Sequence, residues 1–199
     1  MMDDQFGAPS VAWAFSADLE LPEGSPLTRI GPAASAMVGH PARRRIESLV
    51  MAALAELGAV ARWMTVTVEG ADNAELDRAR VWLAEGRLTA AEAGRRLGTR
   101  IAEQDLPGWV SGWLVSARRR SGGTTTALAY PAMDPAETAV GLASWLQDAL
   151  ADGGISEPVP PCAGHPHPMV PTVHEAAPWW SCPVGDLVRP WQTRPATVA

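Results

Sequence analysis

A chain of 199 residues that is 47% hydrophobic and 19% charged has the composition of a folded domain and can bury roughly 70% of its unfolded surface. All 16 of its cationic side chains are arginine, and the missing lysine excludes Schiff-base catalysis, a P-loop and a pyridoxal-phosphate anchor. The formal net charge of -6 disfavours broad binding to a polyphosphate backbone and leaves one dense basic run, Arg118-Arg119-Arg120.

The opening Met-Met-Asp-Asp-Gln lacks the basic start and apolar run of a secretory signal. The longest apolar stretch, Leu49 to Ala55, is far short of the roughly 20 residues that span a bilayer. The expectation is a cytoplasmic protein with no membrane span, in which two cysteines are thiols or metal ligands before they are a disulfide.

In chain order, VAWAFSADLEL places Val11, Trp13, Phe15, Ala17, Leu19 and Leu21 on one face, the period of a half-buried strand. After a Pro/Gly-rich connection, Ile46, Leu49, Val50, Ala53, Leu54 and Leu57 form the apolar stripe of a helix opened by Pro41 and stopped at Gly58. ARWMTVTVEG follows as a second strand, with Met64, Val66 and Val68 inward and Trp63 on the opposite face.

Asp72 caps a helix reaching about Glu85, and the capping box Thr89-Ala-Ala-Glu92 opens another with Ala93, Leu97 and Ile101 inward, the two forming a hairpin hinged at Gly86. LTAAEAGRRLG resembles the opening of a helix-turn-helix, but TRIAEQDLPGW stands where the recognition helix belongs. An ordinary helical hairpin is the simpler reading. WVSGWLVSA and TTTALAYPA are two strands joined by RRRSGG, and Asp134-Pro135 starts a last helix ended by Asp152-Gly-Gly. From Ile155 proline becomes dense and periodicity fades.

The reading is thus an α+β body at residues 1–154, a two-layer sandwich of about four strands with helices on one face, and a proline-rich tail at 155–199. No internal repeat is present.

Both cysteines and three of the four histidines lie between Pro161 and Pro183. Cys162-Ala-Gly-His165 has the C-x2-H spacing of a metal knuckle, and Gly164 permits its turn. His167 stands two residues on, so that both rings of an extended segment face one side. His174 follows a short expected strand, Met169 to Val173. The ligand set is Cys162, His165 and Cys182 with one of His167 or His174. His40 is a more distant candidate.

Trp179-Trp180-Ser181-Cys182-Pro183-Val184-Gly185 resembles the returning knuckle of a zinc ribbon, with Gly185 where a further ligand would stand. The passage from Pro161 to Leu187, about a seventh of the chain, also resembles a C-terminal cassette of uncharacterised actinobacterial proteins: Cys, a Gly-His-x-His-Pro-like run, then Trp-x-Cys-Pro. The resemblance implies that the Cys/His group is a unit and brings no activity with it.

If zinc binds, a tail with little core of its own takes much of its folding energy from ligation. The alternatives are an unmetallated proline-rich flap and a disulfide or redox pair. A catalytic site of three ligands with Glu175 or Asp186 as base would need an open position. No HExxH, nucleophile elbow or phosphate loop occurs. Trp63, Trp179 and Trp191, with Arg118, Arg119 and Arg120, are candidate partner-binding residues. The expected function is that of an accessory protein docking a protein partner or a second copy, with a metal-dependent enzyme and a nucleic-acid-binding protein as alternatives.

Overall fold

The computed structural model describes residue 37 and residues 39–192; the strand expected at residues 11–21 lies outside them. Helix α1 (Pro41–Leu57) carries proline in its first turn and buries Ile46, Leu49, Val50, Ala53 and Leu57. Its N-cap is an imidazole: His40 Nδ1 accepts the Ala42 N–H at 3.2 Å, and Nε2 lies 3.2 Å from the Asp105 carbonyl. Only an N–H can meet a carbonyl, so Nε2 carries the proton and Nδ1 is the acceptor. This role takes His40 away from the metal ligands.

A 3-10 turn, Gly58–Trp63, leads into β1 (Met64–Glu69). The helical hairpin follows as α2 (Asn73–Ala84) and α3 (Ala90–Leu97), capped by Asp72 and Thr89, whose side chains accept the N–H groups of Glu75 and Glu92. Helix α3 ends sooner than expected, at a left-handed Gly98, so Ile101 is buried from a loop.

A five-residue helix, α4 (Leu106–Val110), occupies what reads in sequence as the start of a strand. Gly108 is needed there, because a Cβ would stand 2.7 Å from His40 Nε2. Strands β2 (Trp113–Arg119) and β3 (Thr124–Ala129) form the expected hairpin, and α5 (Pro135–Asp152) starts on Asp134, which accepts the N–H groups of Ala136 and Glu137.

The body sheet is antiparallel in the order β1-β2-β3. Its inner face buries Met64, Val68, Trp113, Val115, Ala117 and Ala129 against α1 and α5, while Thr65, Thr67, Arg118, Thr124 and Thr126 face out. The α+β class follows from this alternation, which matches period two in each strand.

The tail holds a second antiparallel sheet, β4 (Val170–His174), β5 (Ala177–Ser181) and β6 (Val188–Pro190), in chain order. The first of these strands was expected from the sequence, and the second is the aromatic strand that the zinc-ribbon resemblance implies ahead of Cys182-Pro183. Helices α1 and α5 lie between the two sheets. On α5, Trp145 donates to Thr125 of β3, and Gln147, about 200° further round the helix, donates to the carbonyls of Val159 and Met169 at 2.6 and 2.8 Å.

The tail therefore packs into the same core as the body rather than forming one of its own. Met169 and Trp180 are fully buried in it, and the Trp180 indole donates to the buried Glu56 carboxylate of α1 at 2.9 Å. Arg189 of β6 adds a second partner for Glu56 at 3.6 Å. No helix among the described residues is long and apolar enough to cross a membrane.

Candidate metal centre

The β4-β5 hairpin brings the tail's ligands together. Val170 pairs with Ser181, so the residues just before β4 and just after β5 meet at one end of the sheet. Before β4 the chain folds on itself: the Met169 N–H reaches the Pro160 carbonyl at 2.9 Å and the Cys162 N–H reaches the His167 carbonyl at 3.2 Å. At the tip of this short ladder, His165 N–H closes a four-residue turn on the Cys162 carbonyl at 3.3 Å, with Gly164 in the left-handed region at φ 82. After β5, the Cys182 N–H bonds the Leu187 carbonyl at 2.8 Å and closes the second loop.

Cys162, His165, His167 and Cys182 thus offer two sulfurs and two ring nitrogens that all lie within 4.8 Å of one another and could hold a metal ion. His165 Nδ1 is 3.5 Å from Cys162 Sγ and 3.4 Å from Cys182 Sγ, and His167 Nε2 is 3.9 Å from Cys182 Sγ. Tetrahedral zinc with ordinary Zn–S and Zn–N bonds sets a sulfur-to-nitrogen separation of about 3.6 Å. The donor set fits such an ion in type, number and spacing.

The tautomer of His167 is fixed. Its Nδ1 donates to the Pro168 carbonyl at 2.9 Å, which leaves the Nε2 lone pair free to face the sulfurs. Such an outer hydrogen bond orients a ligating imidazole and raises its basicity. Both thiols are buried, and burial together with the neighbouring Cys182 pushes the Cys162 thiol up. Two thiols side by side away from water are costly to ionise without a cation between them.

Gly185, the position at which a zinc ribbon would hold another ligand, does abut the group: a Cβ there would lie 3.5 Å from Cys182 Sγ and 3.7 Å from the His165 ring. His167, from the first loop, stands where that ligand is missing.

His174 does not join the group. It ends β4 at the far turn, four residue steps or about 13 Å of strand from Val170, with its ring edge-on to Trp179 at 4.9 Å and its Nε2 3.9 Å from the Glu175 carboxylate. Glu175 sits in that same distant turn, and Asp186 is exposed in the second loop.

The expected partner-binding residues separate. Trp191 is buried, stacked on Trp180 at 5.4 Å, and is a core residue rather than a surface one. Trp179 is half-buried on the outer face of the tail sheet. Trp63 is exposed, with the guanidinium carbons of Arg62 and Arg120 at 5.5 and 5.4 Å from its ring centre. Arg118 and Arg120 are exposed and Arg119 is half-buried beside them. Arg62 is the member that the sequence reading omitted; the antiparallel pairing of ARWMTVTVEG with WLVSARRR is the signal that would have placed it there.

No protein-family model matches the chain, and neither does any curated protein or solved structure.

Proposed function

We propose that this is a non-enzymatic accessory or protein-interaction protein whose C-terminal sheet is held in place by zinc. The observation that supports the reading best is closure. With four donors from the chain itself, a tetrahedral ion has no position left for water or substrate, which is the pattern of structural rather than catalytic zinc. Among the described residues no carboxylate belongs to the group, which counts against the open site that the enzyme alternative needs.

The docking surface we favour is the outer face of the tail sheet at its ligand-bearing end. Val170, Ser181 and Val188 form one cross-strand row there, Thr172, Trp179 and Pro190 the next. Val170, Val184, Leu187 and Val188 are all exposed. Exposed aliphatic side chains at Val170 and Val188, in the row next to Trp179, are the kind of surface that protein interfaces cover.

Elemental analysis of protein purified without chelator tests the reading. It predicts about one equivalent of zinc per chain, falling close to zero when Cys162 and Cys182 become serine. Amide exchange should then accelerate across residues 160–191 while α1 and the body sheet stay protected. A metal-free protein whose tail amides remain as protected as before would contradict it.

A further inference from the structure

Two cavities meet at the end of the body sheet where β1 begins and β2 ends. One, of about 340 Å³, has an apolar lining that includes Trp63, Met64, Ala149, Leu150 and Ile155. The other, of about 510 Å³, is lined by Arg62, Arg118, Arg119 and Arg120, with Trp63, Met64, Arg119 and Arg120 common to both.

The pairing of β1 with β2 builds this arrangement. Thr65 stands opposite Arg118 and Met64 opposite Arg119, and the Arg120 N–H continues the ladder to the Trp63 carbonyl at 2.8 Å. Arg119 straddles the two cavities, its Nε donating to the Gly122 carbonyl at 3.3 Å while its stem lies close over Gly153. The Trp63 ring holds the guanidinium groups of Arg62 and Arg120 in place by cation–π attraction.

These four arginines have no carboxylate within ion-pair distance among the described residues; Arg44, Arg45, Arg95 and Arg100 share that property, but only these four line one cleft together, whereas Arg43, Arg78, Arg80, Arg87, Arg96 and Arg189 are paired. In a chain of net charge -6, four unneutralised guanidinium groups around one cleft form a local positive island. Held side by side without a counter-ion they repel one another, and an anion among them removes that cost while accepting forked hydrogen bonds.

We propose that this cleft binds a small anionic amphiphile: a phosphate or carboxylate head among Arg62, Arg118 and Arg120, with an apolar body in the cavity beneath Trp63. The apolar cavity falls at the small end of the range for small-ligand pockets, which points to a single small molecule. A polynucleotide would need a continued basic track, and the acidic remainder of the chain does not supply one. The apolar floor distinguishes the ligand from a bare inorganic anion.

The lining shares no residue with the metal group, so the two readings can fail separately. Calorimetric titration of the full metal-loaded chain with octyl phosphate, inorganic phosphate and octanol tests it. Octyl phosphate should bind about tenfold or more tightly than either of the others, and Arg120→Ala should weaken it by about tenfold, the loss of one charge-assisted hydrogen bond. Arg120 is exposed, so the variant keeps the fold and its metal content. Ile155→Asn, which removes the apolar side chain without adding charge, should weaken octyl phosphate and leave inorganic phosphate unchanged. Equal affinity for octyl and inorganic phosphate, an unaffected Arg120→Ala, or binding only to phosphatidic-acid vesicles with none to monomeric octyl phosphate would each overturn the proposal.

Discussion

His40 caps α1 with a neutral imidazole, and that choice gives the fold a pH dependence of its own. The ring sits against Trp109 and Trp113, with centres 6.2 and 5.8 Å away. Burial holds its pKa below the ordinary histidine value, opposed by the Asp105 carbonyl and carboxylate. Protonation would remove the lone pair that accepts the Ala42 N–H. The cap's contribution is therefore complete above the unfolded value of about 6.5 and is lost as pH falls through the lower folded value. His40→Asn keeps a capping acceptor but cannot titrate. As the pH falls from 7.5 the parent should lose more unfolding free energy than the variant in denaturant titrations; the other titrating groups are common to both proteins and cancel. Equal losses would show that the imidazole cap carries no such term. Residue type alone gave His40 only as a distant metal ligand, since a histidine before proline shows no sign of which neighbour its ring will meet.

Within single elements, the β4-β5 turn explains why the tail sheet was hard to foresee. Its two central residues, Glu175 and Ala176, both have positive φ, 50 and 56, the conformation of a type I′ hairpin that asparagine and glycine usually occupy. Neither residue advertises it, and each carries a steric cost there. Glu175→Asn with Ala176→Gly should raise stability by roughly 1–2 kcal/mol in thermal or denaturant unfolding; a loss would mean that the turn is not of this type. Prolines obscured the strands as well. Pro171 and Pro190 lie on the edge strands β4 and β6, where a missing N–H is tolerated, but in sequence they read as breaks. By contrast α1, α5 and the β2-β3 hairpin were legible because caps, apolar spacing and turn residues agreed.

The zinc-ribbon resemblance yields a test at the same scale. If His167 stands in for a ligand missing at Gly185, His167→Ala should lose most bound metal, and adding Gly185→Cys should restore it. Gly185 has no positive φ, and its added Cβ would be in ordinary contact with Cys182 Sγ. Metal content and affinity of the single and double variants are the readout. Failure of the double variant to regain metal would place the fourth ligand elsewhere. The knuckle and Cys182 were legible from spacing; the choice of His167 over His174 was not, because it depends on which end of β4 each histidine occupies.

Across the whole molecule, the metal group, the tail sheet and the helices form one mechanical chain. The ligands close two loops at the end of β4 and β5, β5 delivers Trp180 into the core, and Glu56 of α1 receives its indole. Loss of ligation should therefore loosen the Trp180–Glu56 contact at the tail's side of the core while the backbone of α1 and the body sheet stays protected. The central claim is that two thiolates and two imidazoles of this tail share one zinc ion. X-ray absorption at the zinc edge, on full chain purified without chelator, tests it most directly. The account predicts four-coordinate zinc with two sulfurs at about 2.3 Å and two nitrogens at about 2.0–2.1 Å. A disulfide between Cys162 and Cys182, no zinc, or a shell in which water replaces one of the four protein donors would contradict it.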